Sequence, residues 1–313
     1  AAGVVNDAHQ VVTYGPEYTD TLPSLNLAFE LTDNDIVRFA AAKVLGRPPV
    51  GQLKGGAGSW NSTNADNETE YNVWTKGSPY LDPFRATQFD LSYEHYFDDG
   101  GAVTAAVFWK DIDTLVEKVF TGPEDTDEQF FADLGIEIPE GQVPGAFETF
   151  RNNDKGGYIR GIELAGTKTF DSLPGAFSGL GATASYSFTE SEMEVTGGNF
   201  SGENQPLPGL SENVWSATVF YDWGGFSAHV NAKYRDEFIV NLPIPGSSTP
   251  ALSGEYTTVD AQMSYLFEND IGVVFSVYNL TNEPNLIEYG VSGTLGEYKG
   301  FGRQYYLGVN WRY

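Results

Sequence analysis

The 313-residue sequence has no cysteine, which suits a chain that crosses an oxidising compartment where stray thiols would cross-link. Nor does any apolar run reach the roughly 18 residues that a membrane-spanning helix needs. Lysine and arginine are scarce: 17 of them face 43 aspartates and glutamates, which leaves a net charge of -26. Because nucleic-acid binding relies on basic residues that neutralise phosphates, we expect no nucleic-acid partner. Residues 1–5 also lack the basic and apolar regions of a signal peptide, so the leader was removed or the sequence starts inside a longer protein.

The residues that are abundant favour strands and tight turns. The sequence contains 36 glycines, 18 tyrosines and 21 phenylalanines, and only 19% of its residues are charged. Aromatic residues are enriched in strands and glycine in turns. This composition predicts an all-β protein.

The strongest pattern is an alternation of apolar and polar residues over segments of about ten residues, the strand length of membrane barrels. Successive side chains of a strand point to opposite faces, so such a segment has one lipid face and one lumen face. We count roughly eleven of these segments from residue 25 to the end. In the last one the apolar positions are Tyr305, Leu307, Val309, Trp311 and Tyr313; in another they are Phe226, Ala228, Val230, Ala232 and Tyr234.

Short and long connections alternate along the sequence. Hairpin turns are predicted at residues 33–35, 98–101, 224–225 and 268–270, with a longer turn at 171–179. Long loops are predicted at residues 44–85, 114–155, 190–211, 236–255 and 281–302. Outer-membrane barrels have short periplasmic turns and long extracellular loops, so we expect a transmembrane antiparallel β-barrel over residues 1–313 with a periplasmic C-terminus.

Several segments resemble the TonB-dependent outer-membrane receptors, in particular those of Caulobacter and Xanthomonas type. They are YTDTLPSLNL at residues 18–27, VRFAAAK at 37–43, Arg47-Pro48, GIEL at 161–164, VYNLTNEP at 277–284 and GRQYYLGV at 302–309. The resemblance covers nearly the whole chain and implies a 22-stranded barrel with an N-terminal plug and a TonB box. Neither plug nor box is visible, so the chain is expected to be the C-terminal part of the barrel, about 11–12 strands.

The resemblance further implies energy-coupled import of a scarce solute through the outer membrane of a Gram-negative bacterium. Its partners would be the TonB-ExbB-ExbD complex, acting through the missing N-terminal part, and the solute itself. The subgroup often imports oligosaccharides, which we favour, whereas other members take ferric siderophores or cobalamin. No residue pattern indicates a bound cofactor.

Three aromatic residues in the first long loop are candidate ligand-binding residues. Trp60, Trp74 and Tyr80 offer flat faces on which sugar rings stack, and the amides of Asn61, Asn64 and Asn72 lie nearby in sequence. The alternative is that these aromatic side chains pack the loop onto itself or line the rim of the membrane.

The second long loop is rich in acid. Glu124, Asp125, Asp127 and Glu128 are weak candidates for calcium ligands, because Ca²⁺ takes several carboxylate oxygens. Their spacing matches no calcium loop, and a merely solvated acidic loop is the simpler interpretation. An acidic loop could also share divalent cations with the phosphates of lipopolysaccharide. Outer-membrane lipid and a surface lipoprotein are further possible partners.

Two other function classes stay open. A passive porin would need no plug, and a barrel enzyme such as a phospholipase would need a nucleophile and a base at the lipid rim. The only histidines are His9, His95 and His229, and neither a Gly-x-Ser-x-Gly nor a His-Glu-x-x-His motif accompanies them. The sequence therefore predicts that the protein is not an enzyme.

Overall fold

A computed structural model describes residues 15–75, 77–197, 200–242, 250–290 and 294–311. Its strands are β1 (Ser24–Glu30), β2 (Asp35–Gly46), β3 (Ala57–Thr63), β4 (Thr69–Thr75), β5 (Phe84–Tyr96), β6 (Gly101–Thr121), β7 (Val143–Asn153), β8 (Gly157–Thr169), β9 (Leu180–Glu194), β10 (Asn204–Gln205), β11 (Asn213–Trp223), β12 (Phe226–Arg235), β13 (Phe238–Asn241), β14 (Ala251–Ser253), β15 (Tyr256–Leu266), β16 (Ile271–Tyr278), β17 (Asn285–Tyr289), β18 (Leu295–Lys299) and β19 (Gln304–Trp311). One α-helix, α1, spans Glu128–Asp133, and short 3₁₀ turns span Pro123–Asp125 and Gly175–Gly179.

The chain divides into two compact units. The sheet unit contains residues 22–44, 85–113 and 154–313, and the loop unit contains residues 1–21, 45–84 and 114–153. In the sheet unit a long sheet has the order β1-β2-β5-β6-β8-β9-β11-β12-β15-β16-β19. These eleven strands are the number that the alternation predicts, and the all-β antiparallel fold class is confirmed.

The registers place the apolar residues of neighbouring strands on one face of the long sheet. Val219 of β11 is paired with Val230 of β12, and both side chains are about half exposed (58% and 50%). The opposite face carries hydroxyls and amides that bond across strands. Asn231 donates to the Thr218 hydroxyl at 2.7 Å, and the hydroxyls of Ser185 and Ser216 lie 2.9 Å apart. The sheet therefore has an apolar face and a polar face, as the alternation predicts.

Aromatic rings lie toward both ends of the apolar face. At one end the rings of Trp215 and Tyr234 stack with centroids 5.9 Å apart. At the end with the short turns Tyr265 and Phe267 meet edge to face at 4.7 Å. Tyrosine and tryptophan, with one apolar and one polar end, are enriched where a membrane meets water.

The predicted hairpin turns are confirmed. Gly224 and Gly225 between β11 and β12 have φ values of 57° and 82°, the left-handed conformation that a two-residue hairpin turn requires at both positions. Asp270, in the turn between β15 and β16, is also left-handed, with φ of 60°. Such turns join neighbouring antiparallel strands directly.

The prediction that the long connections are only loops is wrong. Four short strands that lie within these predicted loops form a second antiparallel sheet in the order β13-β14-β17-β18. Residues 190–211 contain the last part of β9 and the short β10. Alternation over about ten residues does not detect strands of two to five residues.

The loop unit is built from the two longest predicted loops. β3 pairs antiparallel with β4, β4 pairs parallel with β7, and β7 pairs antiparallel with the second half of β6. Val73, Phe131 and Phe147 form its buried core, with Phe131 on α1. Phe130 and Ile136 pack against this core.

Within the residues that the structure describes, no helix is long and apolar enough to cross a membrane.

Candidate functional site

Two of the three predicted ligand-binding aromatics share one face of the β3-β4 hairpin. Trp60 pairs with Asn72 and Trp74 pairs with Gly58, so both indoles project from the same side. Neighbouring residues of β4, Tyr71 and Val73, point to the opposite side, into the core of the loop unit. Trp60 and Trp74 are 40% and 36% exposed. We call this side of the hairpin the Trp face.

The ring of Trp74 lies directly over the backbone of Gly58. A Cβ atom at residue 58 would come within 2.5 Å of the ring carbons Cε2 and Cζ2 of Trp74. The indole can occupy this position only because residue 58 has no side chain. One side of the ring therefore rests on the backbone.

Polar side chains flank the two indoles. The Ser62 hydroxyl donates to the Glu70 carboxylate at 2.8 Å, in the pair next to Trp60 and Asn72. On the other flank Trp74 is in register with Glu148 of β7, whose carboxylate lies 2.6 Å from the Lys118 ammonium group of β6. The Trp face thus combines exposed aromatic surface with hydrogen-bonding groups.

Asn72, predicted as a nearby amide, holds the sheet together. Its side-chain oxygen accepts from the Ala146 N–H at 2.7 Å, and its nitrogen donates to the Ser62 hydroxyl at 2.7 Å. The register between β4 and β7 shifts at this point. The Asn72 side chain bonds the Ala146 N–H, which the shift leaves without a partner in the regular strand pairing. Asn64 likewise bonds within its own turn, accepting from the N–H groups of Asp66 and Glu68.

The third aromatic, Tyr80, lies outside the Trp face. It belongs to the connection between β4 and β5 and is 63% exposed. Two of the three candidates are therefore brought together by a strand pairing, and the third is in a different segment of the loop unit.

The acidic candidates for calcium flank the start of α1. Asp127 is the N-cap of α1, and its carboxylate accepts from the Phe130 N–H at 2.7 Å. Glu124 and Asp125 lie in the preceding 3₁₀ turn, and Glu128 is the first residue of α1. Among the described residues no group of three or more histidine or acidic side chains is placed to hold a metal ion. The geometry gives Asp127 a structural role as the N-cap of α1, and a calcium site at these four residues stays a prediction.

The two described histidines lie apart on the long sheet. His95 bonds to the Asp35 carboxylate at 2.8 Å, close to the turn between β1 and β2. His229 is in register with Phe220 and Gln262 on the polar face. Neither arrangement pairs the ring with a serine hydroxyl, and His9 lies outside the described residues.

A family model for the β-barrel of TonB dependent receptor-like proteins matches residues 2–280. The chain belongs to this family. The long sheet of eleven strands is accordingly part of a receptor barrel, with the apolar face toward lipid. A comparison with curated protein sequences found no match.

Solved receptor structures share the fold at low sequence identity. The ferric enterobactin receptor PfeA of Pseudomonas aeruginosa is 13% identical with a TM-score of 0.59, and the match covers 92% of this chain and 39% of PfeA. The ferric-catecholate import receptor Fiu of E. coli is 18% identical with a TM-score of 0.59, covering 92% and 34%. The copper transporter OprC is 12% identical with a TM-score of 0.56, covering 93% and 32%. The chain thus spans less than half the length of each of these receptors.

Sequence reasoning overlooked the residues that complete the Trp face of this receptor chain. Gly58 alternates with Trp60 and Ser62 along β3, a signal that was present in the sequence. Lys118 and Glu148 lie far from the tryptophans in sequence and reach them only through the parallel pairing of β4 with β7. No local pattern reveals such a pairing.

Proposed function

We propose that this chain is the C-terminal part of the barrel of a TonB-dependent receptor that imports a scarce solute across the outer membrane. The observation that carries the proposal is the long sheet, whose apolar and polar faces are those of a barrel wall between lipid and a water-filled lumen. The aromatic rings toward both ends of the apolar face support a position across a membrane. The family match supports transport rather than catalysis.

The partners follow from this function. Energy would come from the TonB-ExbB-ExbD complex, which acts on a plug and a TonB box in the rest of the protein. The apolar face would contact outer-membrane lipid, and the acidic loop unit would face lipopolysaccharide and any surface lipoprotein. The C-terminal end of β19 would then lie on the periplasmic side, where the short turns lie.

The favoured solute is an oligosaccharide. The Trp face supports this preference, because an exposed indole gives a sugar ring a flat partner and the neighbouring carboxylates accept bonds from its hydroxyls. A ferric siderophore is the second candidate, since PfeA and Fiu are named as receptors of ferric enterobactin and ferric catecholates. Their low identity to this chain supports a common fold only.

The test is uptake by cells that express the full-length gene. Radiolabelled oligosaccharides and a ferric siderophore are supplied at low concentration to cells with and without a functional tonB gene. We expect accumulation that requires both the receptor and TonB. Accumulation that requires the receptor but is unaffected by loss of TonB would indicate a passive porin, and the proposal would be wrong.

A further inference from the structure

We propose that the Trp face binds neutral sugar chains from the extracellular side, with the rings of Trp60 and Trp74 under two neighbouring sugar units. The inference deepens the proposed function and rests on it, because it assigns the substrate class to one surface of the loop unit. It concerns the first binding step, which needs no energy coupling.

The arrangement of the two indoles is the first argument. They lie on diagonal positions of adjacent strands, where side chains on one face are about 7–8 Å apart or somewhat closer. Both rings keep more than a third of their surface exposed in a folded sheet. Neighbouring exposed apolar side chains mark binding sites more often than singly scattered ones do.

The second argument is that the platform is held rigid. Trp74 rests on Gly58, and the opposite face of the same sheet is covered by the core of Val73, Phe131 and Phe147. Asn72 fastens β4 to β7 directly beside the two indoles. A ring held in place before the ligand arrives loses little conformational entropy on binding.

The polar flanks are the third argument. Carboxylates accept two or more hydrogen bonds each, and sugar hydroxyls are donors. Glu70 receives one bond from Ser62, and Glu148 is paired with Lys118, so both carboxylates are held in place and each can accept further bonds. The Lys118 ammonium group adds a donor for a ring or hydroxyl oxygen.

The fourth argument is the charge of the loop unit, which favours a neutral sugar over an anionic iron chelate as the ligand. The loop unit carries many carboxylates, and two of its basic residues are already paired, Lys118 with Glu148 and Arg151 with Glu117. The net negative charge of the loop unit repels anions that approach it and leaves neutral ligands unaffected, and the carboxylates that flank the Trp face itself are Glu70 and Glu148. The acidic residues within residues 114–153 of the loop unit are Glu117, Glu124, Asp125, Asp127, Glu128, Asp133, Glu137, Glu140 and Glu148.

The experiment measures binding by the purified full-length protein in a non-ionic detergent that carries no sugar. Cellohexaose, maltohexaose and xylohexaose are titrated separately, and binding is followed by calorimetry and by tryptophan fluorescence. We expect at least one of the three to bind to the wild-type protein. If none of them binds, the proposal is wrong.

The decisive comparison is Gly58→Ala against Gly55→Ala. A methyl group at residue 58 displaces the Trp74 ring without removing it, whereas a Cβ at residue 55 meets no atom within 4 Å. We expect Gly58→Ala and Trp74→Ala to weaken sugar binding about tenfold or more, and Gly55→Ala and Trp74→Phe to stay within about threefold of wild type. Equal affinity of the Gly58→Ala and Gly55→Ala proteins would overturn the proposal.

The uptake assay distinguishes failure of the sugar-binding proposal from failure of the proposed receptor function. If the Trp face is not the sugar site, the Gly58→Ala receptor still accumulates solute in a TonB-dependent manner at the wild-type rate. If the receptor function is wrong, loss of TonB leaves uptake unchanged whatever the sugar affinity of the Trp face.

Discussion

Asn72 shows that an amide beside two tryptophans can serve the fold instead of the ligand. Its carboxamide is buried and bonds the Ala146 N–H and the Ser62 hydroxyl. Replacing it with alanine leaves the buried N–H of Ala146 without a partner, at a cost of about 1–3 kcal/mol. We expect Asn72→Ala to speed hydrogen exchange of the β4 and β7 amides by a matching factor. The control is Asn64→Ala at an exposed turn, which should leave β7 unchanged; equal protection in both variants would contradict this role.

Asp35 lies at the turn between β1 and β2 and gives a pH dependence. Hydrogen bonds from Thr32 and Tyr93, followed by the one with His95, lower the pKa of Asp35 from 3.8 to about 2. Because the folded-state pKa is the lower one, the stabilisation is present above pH 3.8 and is lost as the pH falls from there toward 2. Urea unfolding in lipid vesicles should show Asp35→Asn less stable than wild type at pH 7, with the difference vanishing near pH 2.

Asp33→Asn removes a carboxylate from the same turn and is the control for general charge effects. A difference between Asp35→Asn and wild type that is the same at pH 7 and pH 2 would mean that these hydrogen bonds do not stabilise the ionised form.

Two residues of the candidate site could be predicted from the sequence. Trp60 and Trp74 stand out because large aromatic side chains are rarely placed in a polar loop without a partner surface. The role of Gly58 depends on the register with Trp74, which the sequence does not specify. Tyr80 is also an aromatic residue of the first long loop, but it belongs to the connection between β4 and β5. The residue type alone therefore could not show that Tyr80 lies apart from the two tryptophans.

Among the secondary-structure elements, helix α1 covers the hydrophobic core of the loop unit. Phe131 is completely buried and meets Phe130 and Phe147 edge to face, with ring centroids 5.6 and 6.3 Å away. Phe131→Ala leaves a cavity and should destabilise this unit by about 3–5 kcal/mol. We expect limited proteolysis to cut within residues 122–142 much faster in this variant. The exposed Phe177→Ala is the control, and equal cleavage of the two proteins would show that Phe131 does not hold the unit together.

The strands of the long sheet were predictable and those of the smaller sheets were not, for a physical reason. A strand such as β12 separates lipid from water over its whole length, so its residues alternate strictly. β4 and β7 instead pair in parallel across about 70 residues of sequence and contain a register shift. Their pattern depends on a partner that is distant in sequence, and local alternation cannot report it.

The largest feature of the molecule is the long sheet, which has one face that meets lipid and one face that meets water. The registers carry this division across neighbouring strands, from Gly166 and Ala184 to Ala217 and Ala232 on the apolar face. The sequence predicted the eleven strands of this sheet, and the family match agrees with it. It did not predict the two smaller sheets, which lie in segments where no membrane imposes alternation.

This division is directly measurable by spin labelling, because these 313 residues contain no cysteine and any cysteine elsewhere in the full-length protein is first replaced by serine. The measurement is a scan of β12, in the protein reconstituted in lipid vesicles, with oxygen as the lipid-soluble quencher and a charged nickel chelate as the water-soluble one. Labels at Ala228, Val230 and Ala232 should be accessible to oxygen, and labels at His229 and Asn231 to the nickel chelate. We expect strict alternation between the two quenchers along the strand. Equal accessibility of neighbouring positions to the nickel chelate would contradict a membrane-spanning barrel wall.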